Sequence, residues 1–181
     1  DADCLALSEA VDGAGAGHDK VFAVILGTGV GAGYVVDKKL IEGPNKLTGE
    51  WGQNPIPGPM DDYEKSIRRH CGRLEQYYEF LSGSKASSRD IITLFRKQDE
   101  TALLVMNDYF ERVAKSFSTF INILDPEIII CGGGMSDIDE LYDEIPNRVV
   151  KYLASNFFLT PIVKAIHGNS SGVRGAAFLW D

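Results

Sequence analysis

Runs of apolar and polar positions divide the chain into readable segments. "ADCLALSEAV" interleaves leucines and small residues with acids and predicts a helix over Ala2 to Val11. "VFAVIL" is a continuous apolar run of strand length, and "GYVVD" is β-branched. With the turn at "DKK" and the following "LIEG", residues 21–43 predict a meander of antiparallel strands. Residues 43–60 are rich in Gly, Pro and Asn and predict a long loop, a form usually kept for function. "SRDIITLFRKQ" predicts a helix capped near Ser88 and Asp90. Leu103, Leu104, Tyr109, Phe110, Val113, Phe117, Phe120, Ile121 and Leu124 recur at helical spacing until Pro126 ends the pattern. "EIIICGGG" then predicts a buried strand, "DELYDEIPNRVVKYLASNF" a helix with a break or kink at Pro146, "TPIVKAIHG" a strand and "SSGVRGAAFLW" a closing helix. The order is that of an α/β chain with a mixed sheet and helices.

Composition narrows the classes. The 181 residues suffice for one medium domain, and 44% hydrophobic with 24% charged residues is ordinary for a globular protein. A net charge of −8 argues against a nucleic-acid surface but permits a small anion held by local amides. No apolar run approaches the roughly 20 residues that span a bilayer, so no membrane partner is expected. Three scattered cysteines, Cys4, Cys71 and Cys131, suit a reducing cytoplasm. The chain starts without Met and already in a structured element, and reads as a piece of something longer.

The segment "ILGTGVGAGYVVD" carries Gly27, Gly29, Gly31 and Gly33 at alternate positions directly after a strand. A dinucleotide-binding fingerprint would need a helix next, whereas "GYVVDKK" reads as a strand. A strand–turn–strand hairpin fits better. Its unpaired N–H groups can form a nest for phosphate with the Thr28 hydroxyl, or the glycines can simply serve a tight, bulged hairpin. A second cluster, Gly132, Gly133 and Gly134, joins the strand "EIII" to a helix expected near Ser136. It would let a flat ring or a phosphate approach the backbone, or act as a plain strand-to-helix turn.

Taken in order, "DADCLALSEAVDGAGAG", "LGTGVGAG", "GPNKLTGEWGQNP", "LDPEIIICGGGMS" and "HGNSSGVRGAAFLW" resemble the motifs of ROK-family sugar kinases, and the tail resembles the fructokinase (manno/fructokinase) subgroup. The resemblance implies one ribonuclease-H-like lobe of the actin-like ATPase fold. Residues 1–181 would be the C-terminal lobe, with the N-terminal lobe and its phosphate loop outside the chain. It implies ATP and Mg2+ as cofactors and a hexose, most readily D-fructose, as acceptor, with mannose, glucose and N-acetylglucosamine open. Cytoplasmic location, a homodimer, and an isolated lobe with little activity also follow from it.

Phosphoryl transfer to a hydroxyl needs positioning, charge stabilisation and a carboxylate that takes the proton. The resemblance assigns that carboxylate to Asp1, which would also stand as N-cap of the first helix; Asp3, two residues on, is expected to point elsewhere. It assigns the nucleotide to Gly27, Thr28, Gly29, Gly31, Gly33 and Gly132 to Gly134. It assigns the sugar to Glu50, whose carboxylate can accept two hydroxyls, with Gln53 and Asn54 beside it. Trp51 is expected in the core. For a further sugar glutamate the gapless register falls on Tyr78, with Glu79 one step along, and a short deletion would place Glu75 there instead.

Family members carry a structural zinc on one His and three Cys. Here Gln53 replaces the His, and Arg69 and Gln76 replace two of the cysteines, leaving Cys71 beside His70. Gln is a poor zinc ligand and Arg is none, so no metal ligand set is assigned and zinc is expected to be absent. Packing by Tyr77, Tyr78 and Phe80 would hold the loop instead. His18 and His167 are expected in solvent, Arg174 in a surface ion pair, and Asp137, Asp139, Glu140, Asp143 and Glu144 on a solvated helix face. Two other readings compete: a sugar-sensing regulator lobe of the same family, and a decayed kinase.

Overall fold

In the computed structural model, residues 1–27, 29–56, 74–168 and 171–178 are described. Five strands form one sheet in the order β3-β2-β1-β4-β5. β1 (Lys20–Leu26) and β2 (Val30–Val36) make an antiparallel hairpin, and β3 (Lys39–Leu40) extends it. The connection to β3 is Asp37 and Lys38, at φ 51° and 60°, the left-handed pair that matches strand twist in a two-residue hairpin. β4 (Ile128–Gly132) and β5 (Ile162–Lys164) run parallel to β1.

Strand alternation sorts the two faces. Val21 and Ala23 of β1 and Ile128 and Ile130 of β4 face one layer, built from α1 (Ala2–Asp12) with α6 (Ser171–Phe178) packed on it. Phe22, Val24 and Leu26, with Ile129 and Cys131, face the other layer. That layer centres on α4 (Glu100–Leu124), with α2 (Leu74–Ser82), α3 (Ser88–Arg96) and α5 (Glu140–Val149) against it. Phe22 stacks on Phe120 at 4.0 Å between ring centroids, and Trp51 meets Phe117 and Phe120 edge-on.

Several expectations shift in detail. The cap of α3 is Ser87, which forms a reciprocal capping box with Asp90. Asp99 caps α4 through Ala102 N, and the helix ends at Asp125 in a left-handed conformation before Pro126. Leu104 is 64% exposed, because the buried stripe runs through Ala102, Val105, Met106, Tyr109 and Phe110 instead. After β4 the chain makes a 3-10 turn, Gly134–Asp137, and the α-helix starts only at Glu140. It passes through Pro146 and gives way to a 3-10 turn at Val150.

Candidate functional site

Strand β2 is where the site assembles. Its first residues, 30–33, lie beyond the reach of short β3, which pairs only with Val35 and Val36. The loop after Gly43 docks there: Ala32 N donates to Gly49 O at 3.0 Å, and Gly49 takes a left-handed φ of 85°. A 3-10 turn, Glu50–Gln53, follows. Trp51 is buried in it as expected, while Glu50, Gln53 and Asn54 are exposed. Glu50, Gln53 and Asn54 are brought together on a hollow of about 450 Å³ whose other wall is the end of α4 at Phe120, Ile123 and Leu124.

The glycines of the hairpin divide by task. Gly27 and Gly29 flank the open turn, where a Cβ on Gly29 would meet nothing within 4 Å. Gly31 and Gly33 lie inside β2 under α1. A Cβ on Gly31 would touch that of Ala2 at 3.6 Å, and one on Gly33 would stand 2.8 Å from Ala2 O. Helix approach is what demands glycine at 33. The first turn of α1 is thereby laid across the start of β2, and Asp1, its exposed N-cap, makes no side-chain capping bond. Thr28 lies outside the described residues.

In the second cluster, a Cβ on Gly132 would press on the Leu5 side chain at 2.9 Å. Gly133, at φ 86°, closes on the backbone of Leu26, while Gly134 is open. Gly27 and Gly134 are neighbours: a Cβ on Gly27 would be 4.0 Å from Gly134 N. Both line a cavity of about 560 Å³, roofed by Met135 and Ile138 and walled by α2 and α3. Glu75 lines it as well, accepting from Ser88 N at 2.7 Å and Ser88 Oγ at 2.8 Å. Glu79 lines neither hollow; it is exposed, with Lys85 at 4.0 Å.

Glu9 went unremarked in the sequence, and several named groups stand otherwise than expected. Asp3 is coupled to the loop: burial pushes its carboxyl above the usual range, and the charges of Glu42 and Glu50 add to the rise. Glu9 is fully buried and accepts from Ala14 N at 2.9 Å, Ile166 N at 3.1 Å and His167 N at 2.9 Å. An acid inside the small and apolar stretch "ALSEAV" was the available signal. His167 is not solvated: its ring meets Asp12 at 3.0 Å, and Arg174 pairs with the same carboxylate. The acids around α5 are largely engaged, Asp137 with Lys164, Glu140 with Arg96 and Glu144 with Arg148. Tyr78 packs in the core, but Phe80 is 81% exposed and holds no loop. Arg69, His70 and Cys71 lie outside the described residues, and Gln76 is exposed.

Comparison with known proteins bears on the family and the fold. The family model described as "ROK family" matches residues 1–181. The N-acetyl-D-glucosamine kinase of Vibrio cholerae is 37% identical over 99% of this chain and 65% of its own length. A solved ROK family glucokinase from Streptomyces griseus, in complex with glucose and AMPPNP, superposes with a TM-score of 0.78 at 26% identity, over 98% of this chain and 65% of that one. A ROK hexokinase from Thermus thermophilus gives 0.85 at 23% identity, over 97% and 61%. The chain thus spans about 65% of the length of the curated relative it matches. The mixed sheet with its flanking helices is that of sugar kinases with the actin-like ATPase fold.

Proposed function

Because the chain belongs to the ROK family, we propose that it is the C-terminal lobe of a sugar kinase that passes the γ-phosphoryl group of ATP to a hexose hydroxyl. The observation that carries the reading is the convergence on residues 30–33 of β2. The first turn of α1, with Asp1 as its N-cap, the open turn at Gly27 and Gly29, and the loop bearing Glu50 all meet that short stretch. In this reading Asp1 orients the acceptor hydroxyl and takes its proton. The amides of Thr28 and Gly29, with the Thr28 hydroxyl, stabilise charge on the terminal phosphates, Gly27 N being taken up by Gly29 O, and Gly134 leaves room for the rest of the nucleotide. Gly31, Gly33, Gly132 and Gly133 serve by holding α1 and β1 close.

Glu50 accepts sugar hydroxyls, with Gln53 and Asn54 beside it. Of the two glutamates left open by register, neither lines the hollow with Glu50, so neither is assigned to the sugar: Glu75 lines the cavity with Gly27 and is bonded to Ser88, and Glu79 has Lys85 beside it. Among the described residues no three His, Cys, Asp or Glu side chains gather to hold a metal. Magnesium fits such a site, because it keeps several waters and binds through phosphate oxygens and one or two carboxylates. In this reading phosphate oxygens and water would hold the ion, which would neutralise the phosphate charge and leave Asp1 to take the proton.

N-acetyl-D-glucosamine is the favoured acceptor in place of D-fructose, because a curated relative at 37% identity is named for it. The setting proposed is a cytoplasmic homodimer with sugar and ATP as partners and neither nucleic acid nor membrane. No helix among the described residues is long and apolar enough to cross a membrane.

The test is ADP release by the full-length protein with Mg-ATP and each of N-acetylglucosamine, fructose, glucose and mannose. N-acetylglucosamine should give the highest kcat/KM, and Asp1→Asn should cost about 10²–10⁴ in kcat while sugar binding persists. No turnover on any hexose would reject the enzyme in favour of a regulator or a decayed kinase. A higher kcat/KM for fructose would reject the acceptor alone.

A further inference from the structure

Among the described residues, the cavity beside Gly27 and Gly134 carries four charged side chains, and three are already engaged. Glu75 is held by Ser88 through N and Oγ. Arg96 makes a two-pronged bond to Glu140, 2.7 Å from Nε and 2.9 Å from the terminal nitrogen. Asp137 pairs with Lys164 at 2.6 Å. The fourth, Arg89, is exposed on the cavity wall, and its guanidinium makes no hydrogen bond or salt bridge among the described residues. Its neighbour Asp90 is engaged in the capping box with Ser87.

The helix fixes where that cation stands. Arg89, Ile92, Thr93 and Arg96 follow helical spacing, so one face of α3 forms the wall. Arg96 is tied to α5 and marks one end. Arg89, seven residues earlier, stands about 10 Å away along the axis at the end shared with Glu75. Between them Ile92 faces the cavity across from Met135 and Ile138, an apolar stretch suited to a flat base. A nucleotide whose base lay on the apolar stretch and whose phosphates ran toward the Arg89 end would meet that cation. The chain carries a net charge of −8, so a polyanion needs a local cation to stay there. Arg is suited to it, since its planar fork pairs two phosphate oxygens at once.

We infer that Arg89 contacts the polyphosphate of the bound nucleotide and is a determinant of affinity for nucleoside triphosphate. The inference rests on the ATP-dependent reading above and extends it to a residue on α3. It makes Arg89 a binding residue and gives it no part in proton transfer.

Calorimetric titration of the full-length protein with ATP, ADP and adenosine tests it, using Arg89→Gln and Arg89→Lys. Loss of one charge-assisted contact should weaken ATP by about tenfold or more and ADP by less, with adenosine within about twofold. Arg89→Lys, which keeps the charge but not the fork, should recover only part of the ATP affinity, and Arg89→Gln should flatten its dependence on salt. ATP affinity unchanged in Arg89→Gln would overturn the inference. So would an equal loss for adenosine, which would mean that Arg89 stacks on the base or only supports the wall. If the unsubstituted protein binds no nucleotide, the kinase reading itself falls, and that outcome is read before any variant is made.

Discussion

Gly33 of β2 lies directly beneath Ala6 of α1: a Cβ added to the glycine would stand 2.7 Å from the Cβ of Ala6 and 3.0 Å from Cα of Asp3. Both contacts are far inside van der Waals separation, and the neighbours include helix backbone that cannot swing aside. The helix bearing Asp1 is therefore set at its height above the sheet by the absence of one side chain.

Gly33→Ala should destabilise the protein by about 1–3 kcal/mol through overpacking. It should also lower kcat, because lifting the first turn of α1 moves Asp1. Gly29→Ala is the control: nothing lies within 4 Å of its Cβ position, so stability should change by less than about 1 kcal/mol. Urea denaturation with steady-state kinetics separates the two; equal stability losses would refute the division of the glycines.

Glu9 is a buried carboxylate accepting three backbone N–H groups, two of them from residues 166 and 167. Glu9→Ala leaves those donors without their acceptor and should cost about 3–5 kcal/mol. Glu9→Gln keeps one carbonyl oxygen and the volume, and should cost less than half as much. Denaturant midpoints decide it, and a loss below about 1 kcal/mol for Glu9→Ala would be the contrary result.

The contact of α4 with the segment after α5 should shape both limbs of the pH–stability curve. Burial raises the Glu111 carboxyl, but hydrogen bonds from Tyr152 and Arg148 and the charge of Lys151 outweigh it, and its pKa falls below the ordinary 4.5. A lowered pKa gives stability that is present above the unfolded value and lost as pH falls through the folded one, so Glu111→Gln should flatten the acid limb. The Tyr152 hydroxyl moves the other way, from 10.0 up to about 12, by burial first and then by its bond to Glu111. Its contribution is intact below pH 10.0 and fades toward about 12, and Tyr152→Phe should remove that alkaline decline. Thermal melts from pH 3 to about 12 follow both.

Elemental analysis of the purified protein should find no stoichiometric zinc, because Gln53 and Gln76 stand where ligands would be needed. One zinc per chain would show that residues 57–73 supply a different set.

The hairpin, the long helix and the glycine-ended strand were legible because each is written in local terms. Apolar runs, helical spacing, Pro126 and turn residues act within a few positions of one another. The "GEWGQN" loop was legible as a candidate site by resemblance, and its backbone course was not. Gly49 and Gly52 mean little until Ala32 and Val30 are seen against them. Leu104 shows the opposite failure: its spacing suits a core, yet it is 64% exposed and no element among the described residues covers it. Arg89 and Ile92 looked like an ordinary amphipathic helix, since nothing near them in sequence announces the cavity that they face.

By itself the sequence determined the family, the order of strands and helices, and the residue types able to handle phosphate, sugar and a proton. Tertiary structure alone decided which glycines make room for a helix and which stay open, which glutamate reaches the cavity, and that Glu9 is an anchor. The reason is range. Backbone periodicity and turn chemistry act over a few residues, whereas the amides that Glu9 holds at Ile166 and His167 lie 157 and 158 positions away. Burial and pairing at that separation exist only once the sheet has brought both ends of the chain to one face.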